Sequence, residues 1–144
     1  MTACIFCKII EGTIPSMKVY EDDHVYAFMD IMPASKGHVL LVPKTHCENI
    51  YDMTEQQASQ LFAVAPKIAN AIQAEFNPKG MNLLQNNGAF AGQAVFHFHL
   101  HFIPRYDEAD GFNLAVKTND TAYTAEQITE FSVGIRGKLG IQAC

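Results

Sequence analysis

The sequence predicts an α+β fold: an antiparallel sheet with one long helix packed on it and a further helix near the C-terminal end. Three observations lead there. Strand-like segments bounded by turn residues recur from Lys18 to Ile103, apolar residues recur at helical spacing from Leu61 to Phe76, and helix-start signals stand at Thr54 and Thr124.

Lys18 to Asp30 reads as two strands around a turn at Glu21-Asp22-Asp23-His24. Val25, Ala27 and Met29 alternate with Tyr26, Phe28 and Asp30, the pattern of a sheet with two distinct faces. Pro33 to Gly37 is a loop, and His38 to Pro43 is a short, almost wholly apolar strand suited to the middle of the sheet. Thr54 and Gln57 form a capping box, each side chain satisfying a backbone N–H that the first helical turn leaves unpaired. Leu61, Val64, Ile68, Ala71, Ile72 and Phe76 follow at helical spacing and mark the buried face. Pro66 removes one hydrogen bond from this helix and predicts a kink. Asn77-Pro78-Lys79-Gly80 ends it. Met81 to Gln85 reads as a strand, Asn86 to Gln93 as a glycine-containing loop, and Val95 to Ile103 as a strand stopped by Pro104. Thr124 and Gln127 repeat the capping box and open a helix carrying Ile128, Phe131, Ile135 and Leu139.

With 144 residues and no internal repeat or linker, the chain predicts a single domain: a core over about 4–105 and a helical extension over about 106–144. Hydrophobic residues at 49% and charged residues at 17% place it among globular rather than disordered chains. A net charge of -5 argues against gripping a nucleic-acid backbone, which needs a basic surface, but allows one small phosphate ester held by a few local donors. No apolar stretch approaches the roughly 20 residues of a membrane helix. The N-terminus lacks the basic start and apolar core of a signal peptide, so the cytoplasm is the expected compartment. Cysteines stay reduced there.

Three of the six histidines alternate strictly in His97-Phe98-His99-Leu100-His101. On a strand these imidazoles share one face, roughly 6–7 Å apart at a rise of ~3.3 Å per residue. Phe96, Phe98, Leu100 and Phe102 then point the other way, into the core. Clustered imidazoles raise one another's cost of protonation, so at least one stays neutral at pH 7. A neutral imidazole is both a nucleophile and a metal ligand.

The run His97 to Ile103 resembles the signature of the histidine triad (HIT) family, in which histidines alternate with apolar residues. The resemblance continues along the chain in family order. Ile5-Phe6-Cys7-Lys8-Ile9-Ile10 with Ile14-Pro15 is similar to the family's opening, and Val25 to Ile31 and Gly37 to Lys44 with His46 to two of its strands. Asn86, Gly88, Gly92 and Gln93 are similar to the loop before the triad. From Cys4 to Arg136 the chain particularly resembles bacterial members with an N-terminal Cys-x-x-Cys.

The resemblance implies a homodimer that binds purine nucleotides and cleaves bonds at the α-phosphorus. By similarity His99 is the nucleophile, forming a nucleotidyl-histidine that water then hydrolyses. Attack through Nε2 requires Nδ1 to carry the proton and donate it to an acceptor. His101 resembles the residue that contacts the α-phosphate oxygens, and His38 a fourth active-site histidine. Asn86, Gly88, Gly92 and Gln93 resemble the phosphate loop, where glycine lets backbone N–H groups approach an anion and Asn and Gln add side-chain donors. Asp30 resembles the acid that holds the ribose hydroxyls, and Phe6, Ile14, Phe28 and Ile31 the apolar cleft for the base. Read without the resemblance, those four apolar residues are ordinary core. Ala94 departs from the pattern: many relatives carry Ser or Thr there, near the leaving group in phosphoramidate-cleaving members. Alanine has no side-chain proton to donate, which leaves leaving-group preference and turnover rate open.

Cys4-x-x-Cys7 is half of a zinc site, and the resemblance supplies His46 and His97 as the other ligands. That would divide the triad, with His97 on the metal and His99 and His101 on the phosphate. Four protein ligands leave no open position, so such a zinc is structural. The residues alone leave a reduced metal-free pair and a redox pair as alternatives. His24 reads as surface, Cys47 as a small buried residue and Cys144 as an idle chain end.

The expected function is a nucleotide hydrolase or transferase acting through His99 on a phosphoramidate or a dinucleoside polyphosphate. The alternative is a zinc-stabilised nucleotide-binding or partner-binding module with little turnover, which Ala94 supports. A zinc or redox protein with no nucleotide site is a third reading. Arg105, just after the triad, is either a polyphosphate contact or an ordinary surface arginine.

Overall fold

Apolar residues on both faces of one short strand set the architecture. In a computed structural model, which describes residues 3–140, Val39–Pro43 (β3) is buried along its whole length at the centre of a five-stranded antiparallel sheet. Its neighbours are Val25–Met29 (β2) on one side and Leu100–Arg105 (β5) on the other. Lys18–Glu21 (β1) and Gly80–Leu84 (β4) form the edges, giving the order β1-β2-β3-β5-β4. The chain divides into two compact units, one up to Asn113 that holds the sheet and one from Leu114 onward.

Side chains alternate across the sheet and fill two cores. Val25, Ala27, Val39, Leu41, Leu100 and Phe102 pack with Leu61, Val64, Ala65, Ile68 and Ile72 of the long helix Glu55–Phe76 (α2). On the other side Tyr26, Phe28, Leu40 and Val42 pack with Phe6 and Ile9 of a short helix, Ile5–Ile10 (α1). Nothing in the sequence pattern announced α1: it has six residues and no side-chain cap. Packing of Phe6 and Ile9 holds it, which is how helices too short to stand alone survive in proteins.

The capping box of α2 is formed as expected. Gln57 N–H donates to Thr54 Oγ1 at 3.1 Å and Thr54 N–H to Gln57 Oε1 at 3.0 Å. The helix is continuous through Pro66 and ends at Asn77 in the left-handed conformation. Removing this cap by Thr54→Ala is expected to cost about 1 kcal/mol. For a chain of this length the melting temperature should then fall by about 3 °C in thermal unfolding, and an unchanged value would show that α2 does not depend on its cap.

Three expectations need correction. The strand expected over Val95 to Ile103 begins at Leu100 and continues through Pro104 to Arg105. β3 pairs with β5 only across Leu100 to Phe102, so beyond Phe102 the strand bonds on one side, where a residue lacking an N–H is tolerated. Phe96, expected in the core, lies ahead of the strand and is 44% exposed. Ala71 is exposed, with α2 turning Ile68 and Ile72 inward instead.

In the second unit, Ala125–Lys138 (α3) has the second capping box fully formed and buries none of its side chains. Cys144 lies outside the described residues. No described helix is long and apolar enough to cross a membrane.

Candidate active site

The histidine run is divided between two clusters. His97 is buried, and its Nε2 lies 2.8 Å from the carbonyl oxygen of Pro43, the last residue of β3. A carbonyl only accepts, so Nε2 carries the proton and Nδ1 keeps its lone pair. That Nδ1 lies 3.5 Å from the Sγ of both Cys4 and Cys7 and 3.1 Å from Nδ1 of His46, itself 3.4 Å from Cys7 Sγ. The four candidate ligand atoms all lie within 4.8 Å of one another. α1 provides both sulfurs, Cys4 as its N-cap and Cys7 one turn on. Burial pushes the His97 imidazole down to about 4, against the opposing pull of the Pro43 carbonyl, so the ring is neutral as a ligand must be. Two thiols and two imidazoles suit zinc, and the Pro43 carbonyl orients His97 in the way an outer-shell acceptor orients a metal-binding histidine.

His99 turns to the second cluster. Its Nδ1–H donates to the backbone oxygen of His97 at 2.7 Å, which leaves the lone pair on Nε2. His101 stacks edge-on beside it with ring centroids 4.9 Å apart. His38 completes the group, with Nε2 2.9 Å from His101 Nδ1 and 3.5 Å from Asp30 Oδ2. The tautomers follow from one backbone bond. Ala34 N–H donates to His38 Nδ1 at 3.0 Å, so the His38 proton sits on Nε2. That proton is donated to His101 Nδ1, and His101 must carry its own proton on Nε2.

Desolvation by burial lowers the pKa of each of these three rings. For His101, neighbouring charge on His99 and His38 adds to the effect and brings it to about 4; Asp30 opposes the shift in all three. At pH 7 the cluster therefore offers neutral imidazoles: a lone pair on Nε2 of His99 and an N–H donor on Nε2 of His101.

The other expected site residues sort by their bonding. Phe6 and Phe28 are buried, 5.4 Å apart between centroids, and Phe6 meets His99 edge-on at 5.2 Å. Ile14 packs partly buried against the same cluster, whereas Ile31 is 77% exposed. Asp30 uses Oδ1 on the N–H of Met32 and turns Oδ2 toward His38, a link no sequence pattern carries. Asn86, Gly88, Gly92 and Gln93 form one closed loop around the 3-10 turn Ala89–Ala91. Asn86 donates to the Gly92 carbonyl at 3.3 Å. Gly88 and Gly92 have φ of 88° and 90°, a region that favours glycine.

Gln93 is buried, and its amide is fully used: Oε1 accepts from Gly88 and Asn49, and Nε2 donates to Glu48 and Val95. It shapes the loop and has no donor left over. Arg105 is held by Asp110 and Asn82. His24 is exposed. Cys47 is buried, and burial pushes its thiol up to about 11, so it is an inert packing residue.

Residues 11–108 match the family described as HIT domain. The chain is 54% identical over 136 residues, 94% of each chain, to the Bacillus subtilis protein named Protein hit. It is 40% identical over 116 residues, 78% of this chain and 76% of the other, to the adenosine 5'-monophosphoramidase of Candida albicans. A crystal structure of a HIT family protein from Bacillus anthracis has 55% identity and a TM-score of 0.93, over 94% of this chain and 96% of that one.

Proposed function

Since the chain belongs to the HIT domain family, we propose that it cleaves a purine nucleotide conjugate, a phosphoramidate or a dinucleoside polyphosphate, at its α-phosphorus through His99. The name of the fungal relatives supports nucleotide hydrolysis at the level of the family. The observation that carries the finer reading is the bond from His99 Nδ1 to the His97 carbonyl, which keeps the Nε2 lone pair available.

In this reading Nε2 of His99 attacks phosphorus, and the P–N or P–O bond to the leaving group breaks with its electron pair. The leaving group takes a proton from solvent water as it departs, because Ala94 has none to give. Nε2–H of His101 donates to a non-bridging oxygen, where charge develops in the transition state. Water then attacks the nucleotidyl-histidine and releases His99. In the loop of Asn86, Gly88, Gly92 and Gln93 the Gly88 and Gly92 N–H groups are already bonded to Gln93 Oε1 and the Ala89 carbonyl, so the glycines give the loop its shape and the second amide proton of Asn86 is the further phosphate donor. Asp30 takes the ribose hydroxyls, and Phe6, Ile14, Phe28 and Ile31 form the apolar side that receives the base. The test is release of the nucleoside monophosphate from an adenosine phosphoramidate and from a diadenosine polyphosphate, followed by chromatography. Turnover of either supports the reading, and failure of both defeats it.

Cys4, Cys7, His46 and His97 would hold a zinc ion, whose role is structural: it ties α1 to the segment leading into β5. The family resemblance implies a homodimer, and the character of the N-terminal sequence makes the cytoplasm the proposed compartment. A second reading, a zinc-stabilised binding module with little turnover, is favoured by Ala94 alone. Ala94 is exposed beside Gln93 and offers no proton to a leaving group. On the enzymatic reading, Ala94→Ser should speed phosphoramidate cleavage by about tenfold by supplying a general acid. Tight nucleotide binding by calorimetry, with no product from wild type or Ala94→Ser, would favour the module instead.

A further inference from the structure

The state of His101 depends on a contact some distance along the chain. The loop between β2 and β3 carries Ala34, whose N–H fixes the His38 tautomer. The end of β5 and the segment after it hold that loop in three places. Gly111 N–H donates to the Ala34 carbonyl at 2.7 Å, Ser35 Oγ–H to the Pro104 carbonyl at 2.6 Å, and Tyr106 O–H to the Lys36 carbonyl at 2.7 Å. Asp110 shapes the segment, accepting from Tyr106 N–H at 2.8 Å, Arg105 Nε at 3.2 Å and Asp107 N–H at 3.3 Å. The approach at Gly111 has no slack. A Cβ there would lie 2.9 Å from the Ala34 oxygen and 3.4 Å from its Cα. Gly111 is exposed and outside the left-handed region, so close approach to Ala34, and not its backbone angle, is what requires glycine.

We propose that Gly111 is a positioning residue: through Ala34 it sets the linked tautomers of His38 and His101, so that His101 presents an N–H and not a lone pair to the α-phosphate. The inference rests on the phosphate-contact reading of His101. Its logic is a relay of donors. If Ala34 is pushed away, His38 Nδ1 loses the N–H that obliges it to accept. The proton can then move to Nδ1, against the pull of the Asp30 carboxylate 3.5 Å from Nε2; Nε2 becomes an acceptor, and His101 answers by placing its own proton on Nδ1. Nε2 of His101 is left with a lone pair facing an anion.

The test is Gly111→Ala in the full chain with 15N-labelled histidine, read by long-range proton–nitrogen NMR, which separates the two tautomers without substrate. Wild type should show His38 and His101 both protonated at Nε2, and Gly111→Ala should populate the opposite tautomers of both. With a turned-over phosphoramidate, kcat should fall about 100-fold while KM stays within about threefold, the pattern of a misplaced transition-state donor. Gly134→Ala in α3, where a Cβ meets nothing within 4 Å, should match wild type in both readouts. Should Gly111→Ala fail to fold, Ser35→Ala loosens the same loop and takes its place. Wild-type tautomers in a folded loop variant would overturn the proposal. So would opposite tautomers in wild type itself. Tautomers as expected with no turnover of any nucleotide would instead overturn the enzymatic reading and leave the positioning role standing.

Discussion

His99→Ala is expected to lower turnover of an adenosine phosphoramidate by at least about 10⁴-fold, the scale on which removal of a nucleophile acts in enzymes that form covalent intermediates. The size follows from the arrangement. His99 is the ring whose Nδ1 is tied to a backbone carbonyl, whereas the His101 Nδ1 is an acceptor for His38, so the two rings present Nε2 in opposite states, a lone pair on His99 and an N–H on His101, and neither can replace the other. Nucleotide affinity should change little, because the loop, Asp30 and the apolar side remain. His99→Asn, which keeps a polar group but no basic nitrogen, should behave like His99→Ala. Steady-state kinetics alongside calorimetry checks both. Turnover within tenfold of wild type would move the nucleophile elsewhere.

On the zinc reading, removing the metal from the Cys4, Cys7, His46 and His97 cluster is expected to be the second large effect. A site loaded a thousandfold above its dissociation constant contributes about 4 kcal/mol of stability. For a chain of 144 residues that is about 10–15 °C in melting temperature. Chelation, or Cys7→Ser, should produce a loss of this size together with loss of one zinc per chain by elemental analysis. Turnover should fall too, because Phe6 lies between the two cysteines on α1 and packs edge-on against both His97 and His99. Protein that holds no zinc after growth with it, and melts at the same temperature with and without chelator, would contradict the assignment.

The sheet was legible because its signals are local. Alternation marked β2, the turn at Glu21 to His24 set β1 apart from it, an apolar run marked β3, and Thr54 with Gln57 marked the start of α2 to the residue. The site was legible as residue types but not as geometry. Spacing alone put His97, His99 and His101 on one face of a strand. In the fold Leu100 is the first strand residue, and the chain before it is tied to the end of β3 and the segment after β3: His97 Nε2–H to the Pro43 carbonyl and Phe98 N–H to the Cys47 carbonyl. That is how His97 can face two sulfurs while His99 faces His101. Backbone carbonyls have no sequence signature, and the Cys4–His97 approach spans 93 positions, so only resemblance could suggest it. α1 escaped notice for the related reason that tertiary packing, not propensity, makes it helical.

The nucleophile is the centre of this account, and the most direct test is to weigh the intact protein. Purified protein is incubated with an adenosine phosphoramidate at neutral pH, quenched in denaturant without acid, and measured by mass spectrometry. The account expects an increment of one adenylyl group on wild type that decays as product appears, and no increment on His99→Ala. Product release without any increment, or an increment that persists on His99→Ala, would contradict it.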